Sequence, residues 1–373
     1  MANLRANSIV GVGSTDAGVV FDGVTKIKTQ NYFYLQTGNT ESRSAGISTE
    51  AGVMRFNSDS QKLEYYDGAQ WLQVSTFSPN LNGGARGIIG GGQTPTVVNT
   101  IDYVTISSTG NAVSFGSLTS TRMNLGSFSS STRGVFAGGE TYSNIIDYVT
   151  ISSTGNAADF GDLSSPTQYS GGTSNSTRGL AFLGFIPATG NVNTIDYVTI
   201  ASTGNAQDFG DLTVIRRAVC ASSSPTRSIM GGGLGAANYN VIDYVTISTL
   251  GNAYDFGDLV QIQWDSGACS SPTRGLWGGG AGAPASVFNT IQYVTIASTG
   301  NAVNFGSLTV AREKANSSTS SPIRGLWVGG ATPTIQNVID YVTILTQGNA
   351  IDFGDLTSTR AWSAACSNAH GGL

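Results

Sequence analysis

Four groups of side chains in this sequence could do chemistry. Eight aspartates recur in pairs inside Asp-Phe-Gly-Asp-Leu segments, at Asp159 and Asp162, Asp208 and Asp211, Asp255 and Asp258, and Asp352 and Asp355; carboxylates at fixed spacing could ladder calcium. Cys220, Cys269, Cys366 and the single histidine, His370, could supply nucleophiles or metal ligands. Arginines recur at Arg122, Arg216, Arg312 and Arg360. Finally, Tyr142, Phe185, Asn191, Tyr239, Asn240, Phe288, Trp264 and Trp362 lie in text that does not repeat. Aromatic rings interleaved with Asn can stack on sugar faces and bond hydroxyls, or can anchor a protein partner.

Most of this chemistry fails on spacing. No segment brings a compact set of oxygen ligands together, so a metal site is not expected and the aspartates read as charges guarding an exposed strand edge. The Asp-Phe-Gly text has no accompanying glycine-rich nucleotide loop or catalytic loop. A lone histidine in a polar tail is expected to be solvated, and nothing delivers it to a Ser/His/Asp or Cys/His arrangement. The cysteines read as copies of one small buried position. The chain is therefore expected to be non-enzymatic and free of cofactors, which leaves recognition by the aromatic set.

The elements that must position that set are written as a repeat. The stretch IDYVTIASTGNAQDFGDL has near copies beginning at Ile101, Ile146, Ile242, Ile291 and Ile339, a period close to 48 residues. From each tyrosine (Tyr103, Tyr148, Tyr197, Tyr244, Tyr293) to the next arginine (Arg133, Arg178, Arg227, Arg274, Arg324) the separation is 30 residues four times and 31 once. From each arginine to its own tyrosine, counting from Arg86, it is 17, 15, 19, 17, 19 and 17. Variation in steps of two fits a hairpin loop whose flanking strands must keep the same residues on the same face.

Each unit thus reads as four antiparallel strands: an innermost one of small residues, the Arg-Gly strand, the YVTI strand and an outermost DFGDL strand. Four strands repeated six times predict an all-β fold, a six-bladed β-propeller over 77–373. The first unit lacks its small-residue strand, and a spare copy around Cys366 is expected to complete blade one from the C-terminal side.

Composition agrees and excludes alternatives. Hydrophobic residues make up 39% and charged ones 11%, with 50 glycines, which suits short strands and tight turns. A net charge of -5 with only 18 Lys and Arg leaves no basic stripe for nucleic acid. No apolar run approaches the roughly 20 residues of a membrane span, so no membrane insertion is expected.

Residues 1–48 are polar, with β-prone runs at 8–12, 18–21 and 32–35, and are expected to be an extended segment that docks or oligomerises, a trimer being favoured. Residues 49–76 read as a small β-meander of three strands, VMRFN, KLEYY and WLQV. Gly52, Met54, Arg55, Phe56, Asn57, Asp59, Leu63, Glu64, Tyr66, Asp67, Gly68 and Trp71 fill a pattern that resembles a module of bacteriophage tail-fibre and other virion appendage proteins.

The larger repeat is similar to kelch repeats in its glycine doublet, its tyrosine-bearing third strand, the aromatic of the fourth (Phe115, Phe160, Phe209, Phe256, Phe305, Phe353) and the arginine before the inner strand. It departs from them in having Phe for Trp, and Gln168 and Gln263 where arginine is expected. Its wording also resembles repeats in virion proteins of phages that infect cyanobacteria. The resemblance implies a virion protein assembled in the host cytoplasm, contacting other virion proteins through 1–76 and a host-surface glycan or protein through the variable loops. The alternative is a purely structural capsid or tail decoration.

Overall fold

A computed structural model describes residues 35–44, 51–60, 62–74, 85–140, 142–284, 286–314 and 317–373. The runs expected at 8–12 and 18–21, and most of 32–35, lie outside the described residues. The chain divides into two compact units, Met1–Ser78 and Pro79–Leu373.

In the first unit, strands Met54–Asn57, Lys62–Tyr66 and Trp71–Gln73 form the expected antiparallel meander, and Thr37–Gly38 adds a parallel edge. The pattern residues form one buried polar network. Glu64, fully buried, takes Arg43 at 2.8 Å, Arg55 at 3.3 Å and the Asn57 amide at 3.1 Å. Arg55 also donates to the Asn39 carbonyl at 2.9 Å and lies over the Trp71 ring. A buried carboxylate costs several kcal/mol unless it is paired and bonded on all sides, so the motif's Arg, Asn and Glu stand or fall together.

The second unit is all-β among its described residues and holds six four-stranded antiparallel sheets, each named here by its tyrosine. In the Tyr148 sheet the strands are Gly126–Ser129, Arg133–Ala137, Ser143–Thr150 and Ala158–Thr167, in that spatial order. The other five repeat the order, and the Tyr103 sheet takes its first strand, Ala364–Ser367, from the far end of the sequence, paired with Arg86–Gly90.

Apolar residues of neighbouring sheets form six core clusters. One joins Val135, Ile146 and Phe160 to Ala181, Val198 and Ile200, and another joins the Tyr341 sheet to the Tyr103 sheet through Phe353, Leu356, Val104 and Ile106. First strands of successive sheets touch, and Ala364–Ser367 touches both Ser318–Ser320 and Gly126–Ser129. Small residues are needed there because the strands meet edge to edge. Their last position is serine six times (Ser129, Ser174, Ser223, Ser270, Ser320, Ser367), all buried. The hydroxyls of Ser174, Ser223 and Ser270 each donate to the preceding serine's carbonyl at 2.7 Å, and Ser129 donates to Ser367 at 2.7 Å.

The opposite edge corrects one expectation. The Asp-Phe-Gly-Asp strand is not a free edge guarded by charge; the next repeat's Gly-Asn-Ala turn covers it. The Phe160 carbonyl accepts from Gly204 N at 2.7 Å, the Asp162 carbonyl from Ala206 N at 2.8 Å, and Asp162 N donates to Asn205 Oδ1 at 3.1 Å. The same three bonds occur at every sheet, including from Asp355 back to Asn111 and Ala112. Gly161 has φ +145°, and a Cβ there would stand 2.5 Å from the Gly204 carbonyl oxygen, so both the backbone angle and the close approach require glycine.

The arginine that opens each second strand makes a further joint. Arg133 stacks on its own Tyr148 at 4.7 Å and donates to the Ile200 carbonyl of the next sheet at 3.0 Å; Arg324 does the same with Tyr341 and Ile106.

Candidate functional site

In a four-stranded antiparallel sheet, the connections between strands two and three lie at the same end as the links to the next sheet. The conserved joints at Arg133 and at the Gly-Asn-Ala turns occupy the other end. Four of the variable connections are short two-stranded hairpins, such as Phe185–Ile186 with Gly190–Asn191. Each connection is bonded to a link: Glu140 N to Met123 O at 2.8 Å, Phe185 N to Gln168 O at 3.1 Å, Leu234 N to Arg217 O at 2.9 Å, Ala331 N to Glu313 O at 2.8 Å. Such bracing fixes side-chain positions before any ligand arrives.

Six residues after the leucine that closes each Phe-Gly-Asp-Leu or Phe-Gly-Ser-Leu segment, the link adopts the left-handed conformation. These residues are Asn124, Tyr169, Ala218, Asp265, Lys314 and Trp362, with φ from 52 to 59°. None is glycine, and the conformation costs a non-glycine residue about 1–2 kcal/mol. Backbone bonds tie neighbours together: Trp362 N to Lys314 O at 3.0 Å, Asn124 N to Trp362 O at 2.9 Å, and Ser170 N to Asn124 O at 3.2 Å. These bonds link Lys314, Trp362, Asn124 and Ser170 in a row. Small residues of the first strands and their neighbours, including Ser170, Gly172, Ala221, Ala268, Ser318 and Ala365, line a cavity of about 50 Å³, room for ordered water only.

Charged and aromatic groups pair among these links and connections. Lys314 Nζ lies 4.7 Å from the Trp362 ring centre and 3.0 Å from Glu313. Arg217 lies over both Tyr169, at 5.3 Å, and Phe185, at 5.8 Å, and donates to Asn191 Oδ1 at 2.9 Å. Burial raises the Tyr169 phenol above its ordinary pKa, and the nearby Glu140 and Asp265 carboxylates push the same way against Arg217. Asn124 Nδ2 donates to Glu140 at 3.2 Å.

The structure joins some of the expected residues and separates others. Phe185 and Asn191 meet through Arg217, and Trp362 meets Lys314. Tyr142 is exposed on its connection. Phe288 packs into its own hairpin, against Gly282. Tyr239 likewise lies against Gly235 of its connection. Asn240 is spent on scaffold, donating to the Leu259 carbonyl as Asn99 and Asn193 do to Leu118 and Leu212. Trp264 exchanges backbone bonds with Ala281. Sequence reasoning missed Asn124, Tyr169 and Lys314, which share a left-handed backbone angle, and Arg217 and Glu140, whose contacts join a link to a variable connection.

The other chemical groups are absorbed by the fold. Arg122, Arg216, Arg312 and Arg360 form buried ion pairs with Asp147, Asp243, Asp340 and Asp102. Gln263 occurs together with Gln292, whose amide it accepts at 2.7 Å, so the fifth pair is replaced on both sides. The third, in the Tyr197 sheet, is replaced on one side only. Its arginine position is filled by Thr167, not by Gln168 as expected, and Asp196 stays buried with only Ser164 as donor. Burial holds that carboxyl above its ordinary pKa.

His370 is not a solvated tail residue. It lies at the serine end of the first strands, with Nε2 3.1 Å from the Ser129 carbonyl and 3.2 Å from Ser174 Oγ, and Nδ1 accepting from Gly372 N. Cys269 and Cys366 occupy the third position of their strands and Cys220 the first, so the cysteines are not copies of a single site. Among the described residues, no group of three or more His, Cys, Asp and Glu could hold a metal ion.

No protein-family model matches the chain, and no curated protein shows significant similarity to it.

Proposed function

We infer that this chain is a phage virion appendage protein whose second unit is a six-bladed kelch-like β-propeller that binds carbohydrate on the host surface. The propeller reading rests on bonds that run from each sheet to the next and return from the sixth to the first, at the inner serines, the outer turns and the arginine joints. Receptor binding rests on one observation above the others: one end of the sheets is uniform and committed to joints, while the other carries the variable connections between strands two and three, with the Arg217–Tyr169–Phe185 and Lys314–Trp362 groups among them. Loops that vary on a fixed scaffold are where recognition is placed.

Residues 1–76 supply attachment to other virion proteins and, on this reading, trimerisation; the virion resemblance of the pattern from Gly52 to Trp71 supports it. Purified protein is expected to bind arrayed glycans and to compete with phage adsorption to host cells, with loss of binding in Tyr142→Ala and Phe185→Ala. Particles that assemble and adsorb normally without the protein would instead favour a decoration role.

A further inference from the structure

Resting on the assignment of trimerisation to residues 1–76, we propose that the apolar face of the small sheet in the first unit is the surface through which three copies of this chain associate. The register of the meander sorts its side chains. Met54 pairs with Tyr65 and Tyr65 with Leu72, while Phe56 pairs with Leu63. Directly opposed residues point to the same side of a sheet, and successive residues to opposite sides. One face therefore carries Met54, Phe56, Leu63, Tyr65 and Leu72, and the other carries Arg55, Asn57, Glu64 and Trp71.

Burial is inverted between the two. On the polar face Arg55, Asn57 and Glu64 are buried, bonded to Asn39, Thr40 and Arg43 of the preceding segment. On the apolar face no side chain is buried: Met54 keeps 46% and Tyr65 37% of its surface exposed, and Phe56, Leu63 and Leu72 are half-buried. An antiparallel sheet ordinarily covers its apolar face and solvates its polar one. Here the chain covers the polar face, which leaves the apolar one to a partner.

Chemistry selects that partner. Of the five side chains only Tyr65 carries a hydroxyl, too little to orient a sugar, and none is a lysine or arginine that could meet a phosphate headgroup. Because the face is uncharged, identical copies meet there without the like-charge repulsion that a net charge of -5 brings elsewhere. Area sets the number of copies. The exposed parts come to roughly 300 Å² per copy, and since interfaces are about 60% apolar the whole contact is about 500 Å² per copy. Two copies then bury about 1,000 Å² and three about 1,500 Å², and only the second figure falls within the range of about 1,200–2,000 Å² typical of stable interfaces.

The test measures the mass of the full chain by sedimentation. The unmodified protein is expected at three times the monomer mass. A chain carrying both Met54→Lys and Tyr65→Lys is expected at the monomer mass, its association weakened by about a hundredfold or more because the contact would bury unpaired ammonium groups. Gln73→Lys adds charge at an exposed position of the polar face and should leave the mass unchanged. To separate a lost contact from an unfolded module, Tyr65→Cys and Gln73→Cys are each treated with a short bis-maleimide, the three native thiols being buried. Cross-linked multimers from Tyr65→Cys and none from Gln73→Cys are expected; equal yields overturn the face. A trimer that persists with both lysines in place overturns the face and leaves trimerisation through residues 1–76 standing. An unmodified chain that sediments as monomer or dimer overturns both.

Discussion

The side-chain oxygen of Asn111 accepts a hydrogen bond from the backbone N–H of Asp355 at 3.0 Å, across 244 residues of sequence. It is the same bond that Asn205 makes with Asp162 between adjacent repeats. If the two joints are equivalent, Asn111→Ala and Asn205→Ala should each lower stability by about 1–2 kcal/mol, the cost of leaving a backbone donor unmatched. Denaturant unfolding of both variants checks this, and a much smaller effect at Asn111 would show that the first and last repeats are not held as the others are.

The glycine of each fourth strand meets the next repeat's turn. A Cβ on Gly354 would lie 2.5 Å from the Gly110 carbonyl oxygen, at φ +146°. Gly354→Ala is expected to destabilise by about 2–4 kcal/mol, combining backbone strain with overpacking against an atom that cannot swing away. Ala at Gly110 or Gly204, where nothing stands within 4 Å of a Cβ, isolates the backbone part, since φ there is also positive, and should cost less.

Two buried aspartates at the same position should respond oppositely to neutralisation. Asp243→Asn strips charge from the pair with Arg216 and is expected to cost about 3–5 kcal/mol. Asp196 has no arginine. Its folded pKa lies above the ordinary 3.8 because burial penalises the charge, so the folded state binds the proton more tightly than the unfolded state does. The penalty is absent below the unfolded pKa and grows as pH rises through the folded one. Asp196→Asn should therefore stabilise the protein at pH 7 and lose that advantage in acid, a trend that urea titrations across pH would read.

His370 carries the reverse dependence. Desolvation pushes its imidazole down to about 4 from an ordinary 6.5. The tail packs with a neutral ring, so its stability is complete above the unfolded pKa and declines as pH falls from 6.5 towards 4. The difference in stability between the unmodified protein and His370→Gln is expected to change across that window by up to about 3 kcal/mol.

Burial holds the Cys220 and Cys366 thiols up to about 12, and the Cys269 thiol is likewise raised. A thiolate-directed reagent should leave all three unmodified in the native protein and label all three in denaturant. Rapid labelling of Cys366 alone would mean that the Ala364–Ser367 strand detaches readily from Arg86–Gly90.

Repetition made much of this legible before any coordinates. Strand order, the even-numbered loop variation and the late partner for Arg86–Gly90 all follow from period-two patterning and constant spacing, because strand pairing is a local rule applied repeatedly. The buried pair of four sheets was half visible: arginine and aspartate recur, but their contact, and the Thr167 that breaks it in the Tyr197 sheet, need the register between repeats. The edge joints were misread, since a strand that looks like an edge within one repeat is covered by a turn from the next. The tail histidine was misread for the same reason, because its environment is made by first strands from several repeats.

By itself the sequence determined an all-β chain of four-stranded units and the end of each unit that varies. Only the tertiary structure decided what the constant residues are for and which varied ones stand together. Backbone angles such as the left-handed turn at Tyr169 and Trp362, and bonds between repeats, arise when six similar units are packed against one another, and no single unit encodes its neighbour's position.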